Sequence, residues 1–287
     1  MKLLRMVTAA GVFYGFVAWS GCAPRPKPVT PASQFAEAKE MLRQRTHDRA
    51  LDSLAKLSKQ ENELAERARM LSIAVLGGMG ESYREMGDAY MKGSTVVRTE
   101  AEKMRFRKMA MDYFGMARVR SLGYVEQFLP LLKKSDTKPF TVEARFPEVG
   151  AVENATVNKL QQGIWVGDEE RYQAELDTLD LWVAKILCAS ASVTDLNQGR
   201  ALYQKGTVDL DPRGYFVAMA RTMMDASALF MPKALDDSRL RRLFYEKADE
   251  TLDTAMRLLK MQPDKALEAR ARKMKEDCQR ELKRLPS

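Results

Sequence analysis

The chain has 287 residues, of which 45% are hydrophobic, with 47 Lys and Arg against 39 Asp and Glu, a formal net charge of +8, three cysteines and one histidine. This composition excludes a disordered tail, a collagen-like fibre and a disulfide-dense miniprotein. A single histidine, His47, excludes a His-rich zinc site and argues against a Ser-His-Asp hydrolase. Low glycine and proline content with abundant helix-forming residues favours a mostly helical body.

An export signal is predicted over residues 1–21. Lys2 and Arg5 precede an uncharged run over 6–19, which small residues follow. The run is shorter than the roughly 20 residues that a helix needs to cross a bilayer. It therefore indicates a cleaved signal peptide rather than a permanent transmembrane anchor.

The residues at the end of this segment predict a lipid anchor. The small residues Ser20 and Gly21 directly precede Cys22, and residues 22–32 are rich in proline. The segment resembles a bacterial lipoprotein signal, which implies that Cys22 becomes the acylated first residue of the mature protein, with ordinary cleavage near Ala23 as the alternative. The resemblance further implies an outer-membrane lipoprotein that faces the periplasm, with the prolines as an extended tether.

Apolar residues at helical spacing predict a helical N-terminal half over 33–135. Two short helices are expected to meet near residues 46–48. A third is expected to stop at the glycine-rich run 77–80, because consecutive glycines disfavour a helix. Thr99 is expected to cap a long helix that runs towards Leu122, since acidic residues follow it in the first turn.

Residues 136–150 break the helical rhythm with two prolines, so a loop or insertion is predicted between the two halves. The stretch 141–146 alternates, but it is too short to predict a strand. The C-terminal half, 151–287, is predicted to be helical. Its predicted helices include 152–164, 168–189, 194–210 and 264–285. The last of these is basic, but interleaved acids indicate a solvated, ion-paired helix, and no nucleic-acid partner is predicted.

The two cysteines of the mature body, Cys188 and Cys278, lie in predicted helices. Cys188 has apolar neighbours, where a free cysteine behaves as a small buried hydrophobe. A disulfide between the two is the alternative in an oxidising compartment.

Two segments in the C-terminal half look like distant copies of each other. One begins with Leu-Tyr-Gln-Lys at 202–205 and leads to Pro212, and the other begins with Phe-Tyr-Glu-Lys at 244–247 and leads to Pro263. Each predicts a helix that ends at a proline, and stacked helix pairs bury their apolar faces as a curved solenoid. The predicted fold class is therefore all-α, a tetratricopeptide-like helical-hairpin solenoid or bundle.

These segments, with Asp-Pro at 211–212 and the loop Pro-Lys-Ala-Leu at 232–235 between them, resemble the TatT-like family, the lipoprotein T component associated with TRAP-type periplasmic transporters. The resemblance implies an all-helical periplasmic protein that can form a trimer. It also implies a cavity for small apolar organic ligands, exchanged with a periplasmic binding protein without any bond being made or broken.

Catalytic residues are not predicted, because the two Ser-x-x-Lys matches in the chain lack the companion elements of a hydrolase. Metals and cofactors are not predicted either. Flexible methionines and aromatic side chains suit an adaptable apolar pocket, although the same residues at helical spacing also suit a helix core. The candidate cavity residues are Trp182, Met219, Met223 and Phe230. The alternative function is a tetratricopeptide-like scaffold lipoprotein that contacts envelope proteins.

Overall fold

The structure is a computed structural model that describes residues 30–148, 154–231 and 237–286. Helices make up 76% of these residues, which confirms the all-α fold class. The predicted signal peptide 1–21, Cys22 and most of the tether 22–32 lie outside the described residues, as does the loop 232–235. Within the described part of the chain, none of the helices combines the length and apolar character of a membrane span.

The N-terminal half folds into two helix pairs. Its helices are α1 (Pro31–Arg43), α2 (His47–Leu57), α3 (Ala65–Gly93) and α4 (Glu100–Phe128), followed by a 3-10 turn (Leu129–Lys133). α3 and α4 form a long antiparallel hairpin. Thr99 caps α4 as predicted, because its hydroxyl accepts the backbone N–H of Glu102 at 3.2 Å while the Glu102 carboxylate accepts the Thr99 N–H at 3.1 Å.

The described residues of the C-terminal half form six helices that pack on this hairpin and on each other. They are α5 (Ala155–Gln161), α6 (Asp168–Ser190), α7 (Leu196–Tyr203), α8 (Pro212–Ala226), α9 (Ser238–Met261) and α10 (Lys265–Arg284), with a 3-10 turn (Ser227–Phe230) after α8. α6 packs against α3, and α9 packs against both α8 and α10. The predicted helices at 168–189 and 264–285 are confirmed within one residue.

The glycine-rich run 77–80 does not end a helix, and that prediction is wrong. The run lies inside α3, which packs between α4 and α6. A Cβ atom on Gly78 would lie 2.7 Å from the backbone nitrogen of Val183 in α6, and one on Gly80 would lie 2.8 Å from the Ser121 hydroxyl in α4. The glycines lower helix propensity by about 1 kcal/mol each, but they let three helices approach more closely than any side chain would allow.

The predicted helix 194–210 is also too long, because α7 ends at Tyr203 and residues 208–210 form a strand. Gly206 adopts a left-handed φ of +80°, which separates the two. Strand β2 (Val208–Leu210) pairs antiparallel with β1 (Phe140–Val142), which lies in the segment predicted as a loop. The sequence pattern does not predict this sheet, because each strand has only three residues and the two strands are far apart in the chain.

The two segments that look like copies therefore differ in structure. The first contains the end of α7 and strand β2, and Pro212 begins α8 instead of ending a helix, with Asp211 as its N-cap. The second is helical and ends as predicted, since α9 stops at Met261 before Pro263. The tetratricopeptide-like repeat is not confirmed.

One hydrophobic core is continuous across both halves. At its centre is an aromatic cluster in which the Phe128 ring lies 6.2 Å from the Tyr124 ring and 5.7 Å from the Phe216 ring, measured between centroids. The Phe140 ring of β1 lies 5.2 Å from the Tyr215 ring of α8. α4, the 140–142 strand and α8 are therefore held together by the same packing.

The cysteines of the body are free thiols, so the alternative of a disulfide between them is not observed. Cys188 and Cys278 are both buried. Burial raises the pKa of the Cys278 thiol to about 12, so it remains protonated at neutral pH. Both residues pack as small hydrophobes.

Candidate functional site

Three of the four residues predicted to line a cavity lie in the core. Met219 and Met223 are on one face of α8, and Phe230 is in the 3-10 turn that follows; all three are fully buried. The Tyr124 hydroxyl lies 3.1 Å from the Met219 sulfur, and the Phe230 ring lies 5.1 Å from the Phe244 ring. Neither cavity described below is lined by these residues, and their role in ligand binding stays a prediction.

Trp182 lies apart from these three, on α6. Its indole N–H donates to the Glu85 carboxylate of α3, and the Lys185 ammonium lies 4.1 Å from the centre of its ring system. Its partners hold the indole against the α3–α6 contact. The structure therefore does not bring the four predicted residues together at one site.

A groove of about 800 Å³ opens between α1, α3, α6 and the extended segment 143–148, and we call it the α1 groove. Its floor is aliphatic and aromatic. The floor side chains are Leu42, Leu71, Val75, Phe146, Val183 and Leu187. Leu71 and Val75 are one turn apart on α3, and Val183 and Leu187 are one turn apart on α6, so each helix turns one apolar edge towards the groove. The close contact at Gly78 sets the spacing of these two edges.

Ion pairs hold the rim of the α1 groove. The Glu143 carboxylate lies 3.0 Å from the Lys39 ammonium of α1 and 2.5 Å from the Arg67 guanidinium of α3. One acid in the segment 143–148 thus ties that segment to two helices. Arg145 and Lys205 also line the groove and form no ion pair with a described residue.

A buried charge cluster forms one wall of the groove. The Asp180 carboxylate of α6 lies 2.7 Å from the Arg45 guanidinium and 4.0 Å from the His47 imidazole. Arg45 has a left-handed φ of +59° in the turn between α1 and α2, a backbone conformation that residues other than glycine rarely adopt. This conformation directs the Arg45 side chain towards α6. Burial raises the pKa of Asp180 to about 6 against the opposing effect of Arg45, and burial lowers the pKa of His47.

We expect Asp180→Asn to change how stability depends on pH. A carboxyl group whose pKa rises from 3.8 to about 6 on folding holds its proton more tightly when folded, so its stabilising contribution is full below its unfolded pKa and is lost as the pH rises to about 6. Asparagine does not ionise, so the variant does not lose this stabilising contribution as the pH rises. Between about pH 5 and about pH 7.5, the free energy of unfolding of the variant should gain about 1 kcal/mol relative to wild type.

Urea unfolding of both proteins at the two pH values measures this difference. The lowered pKa of His47 acts in the opposite direction, because its contribution is lost as the pH falls below the unfolded pKa, but that effect is present in both proteins and largely cancels. An identical pH dependence in the two proteins would contradict a buried Asp180 that ionises near neutral pH.

A second cavity of about 500 Å³ lies between β2, α8 and α10, and three aspartates line it. Each of these acids has a structural partner. Asp211 caps α8, Asp264 caps α10, and the Asp209 carboxylate accepts the Thr141 hydroxyl at 2.7 Å across the sheet. These carboxylates are therefore occupied in holding helix ends and the strand pair, and the α1 groove is the stronger candidate site.

The sequence contains one usable signal for this site. Asp180 is an acid between Leu179 and Leu181 in an otherwise apolar helical stretch, a position where a charge requires a partner. The partner, Arg45, is far away in the chain and could not be identified from the pattern.

The fold and the groove define the chain as an all-α protein with an amphipathic surface groove. No group of three or more metal-ligating side chains occurs in residues 30–148, 154–231 and 237–286. A scan of protein-family models and searches of curated proteins and of solved structures found no match.

Proposed function

We propose that the protein is a non-catalytic binding protein that holds a small, largely apolar organic ligand in the α1 groove. The observation that supports this proposal is the combination of an apolar floor with a charged rim in a space of about 800 Å³. Small-molecule sites occupy roughly 300–1,000 Å³ and are mostly apolar with a few placed polar groups. The α1 groove falls within this range of volume, and its lining is about equally polar and apolar, so charged side chains surround the apolar floor.

The apolar part of the ligand would lie over the aliphatic edges of α3 and α6. Each methylene group removed from water there contributes about 0.8 kcal/mol, so a chain of several carbons suffices for tight binding. A polar end would remain at the mouth, where Arg145 and Lys205 offer donors that form no direct ion pair with a described residue, although the Arg145 charge acts on nearby Glu40. Glu143 fixes the segment 143–148 before the ligand arrives, which reduces the ordering cost of binding.

We also propose that the protein acts in the cell envelope. Acylated at Cys22, the protein would be tethered to the outer membrane with its helical body in the periplasm. There it would exchange its ligand with the periplasmic binding protein of a TRAP-type transporter. This part of the proposal is supported by the lipoprotein-like signal and by the sequence resemblance.

Filling the groove should weaken binding. Ala36 is an exposed residue of α1 that lines the groove, and Ala36→Trp places an indole over the apolar floor. We expect the affinity for the fluorescent amphiphile 11-(dansylamino)undecanoate to fall at least about tenfold, which corresponds to about 1.4 kcal/mol. Fluorescence titration measures the affinity, and circular dichroism checks that the fold is retained.

Ala32→Trp provides the matched control, because Ala32 is also exposed on α1 but does not line the groove. Its affinity should equal that of wild type. Equal losses in both variants, or a loss in neither, would contradict the α1 groove as the binding site. A wild-type protein that binds no apolar molecule would favour the scaffold alternative.

A further inference from the structure

The charge cluster on the wall of the α1 groove has more negative charge than its described members balance. The Arg45 guanidinium lies 2.7 Å from the Asp180 carboxylate and 3.4 Å from the Asp177 carboxylate, so one cation serves two acids of α6. With a pKa of about 6, Asp180 is ionised at neutral pH. His47 adds no charge there, because burial lowers its pKa. The cluster therefore has an excess of one negative charge.

One oxygen of Asp180 can accept a hydrogen bond from the groove. The Oδ2 atom faces Arg45, whereas Oδ1 lies 4.0 Å from the His47 Nε2 atom, which is beyond hydrogen-bond distance. Among the described residues, none donates a hydrogen bond to Oδ1. Asp180 is only 8% exposed, yet it lines the groove. Since a buried carboxylate oxygen without a donor is costly, a donor that enters the groove would stabilise it.

The apolar floor leads away from this acid along α6. Asp180, Val183 and Leu187 lie on one edge of the helix, and all three line the groove. At about 1.5 Å per residue, roughly 10 Å separate the first of them from the last. The Tyr203 hydroxyl donates to the Leu187 carbonyl at 3.3 Å, which places Tyr203 at the far end of this edge.

Two cations lie towards that far end. The Phe146 ring is 6.5 Å from the Tyr203 ring, measured between centroids. Arg145 precedes Phe146 in the chain, Lys205 follows Tyr203 by two positions, and both cations line the groove. Glu148 is the acid of the segment 143–148 that lies closest after them, so two cations stand against one acid there. The groove therefore presents an acid at one end of its apolar floor and positive charge at the other.

We propose that the α1 groove takes a zwitterionic amphiphile, whose ammonium group binds Asp180 and whose anionic group binds Arg145 and Lys205, with an apolar chain between them. The identity of this ligand class rests on the groove being a ligand site, as proposed above. An ammonium group carries three donors and no acceptor, so one such group can serve the free Asp180 oxygen and the neutral His47 ring together. Its charge also balances the cluster, and charge-assisted hydrogen bonds are roughly twice as strong as neutral ones.

Competition against the fluorescent 11-(dansylamino)undecanoate on the full wild-type chain tests the proposal. The competitors are undecanoate, ω-hydroxyundecanoate and ω-aminoundecanoate, which share one chain and one carboxylate and differ only at the other end. We expect ω-aminoundecanoate to bind at least about tenfold more tightly than either of the other two. Transfer from water alone predicts that undecanoate binds more tightly, because an ammonium group is more costly to desolvate than a methyl group.

Asp180→Asn tests whether this preference originates at Asp180. The ratio of the undecanoate dissociation constant to that of ω-aminoundecanoate should fall from at least about ten to about one. Glu148→Gln is the matched control, because it removes an acid at the opposite end of the groove and should keep the tenfold preference of about 1.4 kcal/mol. Circular dichroism checks that both variants retain the fold.

The possible failures are distinguishable. Equal affinities of wild type for ω-aminoundecanoate and ω-hydroxyundecanoate would overturn the zwitterionic ligand and leave the groove as a ligand site, and this comparison needs no variant to fold. A preference that Asp180→Asn retains, or that Glu148→Gln also loses, would overturn Asp180 as the ammonium site. A wild-type protein that binds neither the dansyl probe nor any of the three competitors would overturn the proposed function and the zwitterionic ligand together.

Discussion

Gly78→Ala is expected to destabilise the protein by about 3 kcal/mol, although alanine is the better helix former. The added methyl group would lie 2.7 Å from the backbone nitrogen and 2.8 Å from the Cα of Val183. Real Cβ atoms do not approach backbone so closely, so α3 and α6 must separate and lose packing along their whole contact. Urea unfolding followed by circular dichroism measures the loss.

Gly123→Ala is the matched control, because it makes the same change inside a helix where there is space. Its Cβ would meet only the Leu76 methyl groups, at 3.5 Å and 3.7 Å. That variant should be more stable than wild type by up to about 1 kcal/mol. Val183→Ala removes the overlap with the Val183 Cγ2 but leaves the overlap with the Val183 backbone, so it should rescue Gly78→Ala only in part. A full rescue, or equal effects of the two glycine substitutions, would contradict the close contact of α3 and α6.

Phe128→Ala is expected to cost about 4 kcal/mol. The ring is fully buried and is surrounded by Tyr124, Tyr215 and Phe216, so its removal leaves a large cavity in addition to the lost transfer free energy. Since these rings join the N-terminal hairpin to α8, both halves should lose stability together. Thermal unfolding should remain a single transition at a lower temperature.

The control for this substitution is Tyr172→Ala, which removes an aromatic ring that is 60% exposed. It should change the free energy of unfolding by no more than about 0.5 kcal/mol. Two separate transitions in Phe128→Ala, with only one of them shifted, would show that the halves have independent cores.

Much of the helical architecture could be predicted because its signals are local. The Thr99 cap needs only Glu102 three residues later, and the end of α9 needs only the proline that follows it. The all-α class follows from composition and from apolar spacing. These features depend on neighbours within one or two turns, which the sequence displays directly.

The glycine-rich run shows where local reasoning fails. Glycines lower helix propensity wherever they occur, so a cluster of them predicts a break. In α3 the same residues are required by tertiary contacts with Val183 and Ser121, which lie far away in the chain. Tyr172 shows the same limit in the other direction, because it is an aromatic residue of α6 and yet is 60% exposed. Which side of a helix is covered depends on the partner helices.

The candidate site could not be predicted for a related reason. The four residues chosen from the sequence are methionine and aromatic side chains, and three of them fill the core. One wall of the α1 groove depends instead on Asp180 and on Arg45 and His47, which lie far from Asp180 in the chain. Only the isolated acid at position 180 gives a sequence signal.

The small sheet has a consequence for the order of folding. β1 and β2 are three residues each, and Thr141 bonds to Asp209 from 68 positions away. A sheet of two three-residue strands is too weak to close so long a loop in water. Other contacts must offset the entropy that is lost when the loop closes. Phe140 supplies them, since its ring is buried in the aromatic cluster. We therefore expect the strands to pair only after α8 has docked on α4, which would make their pairing a late step in folding.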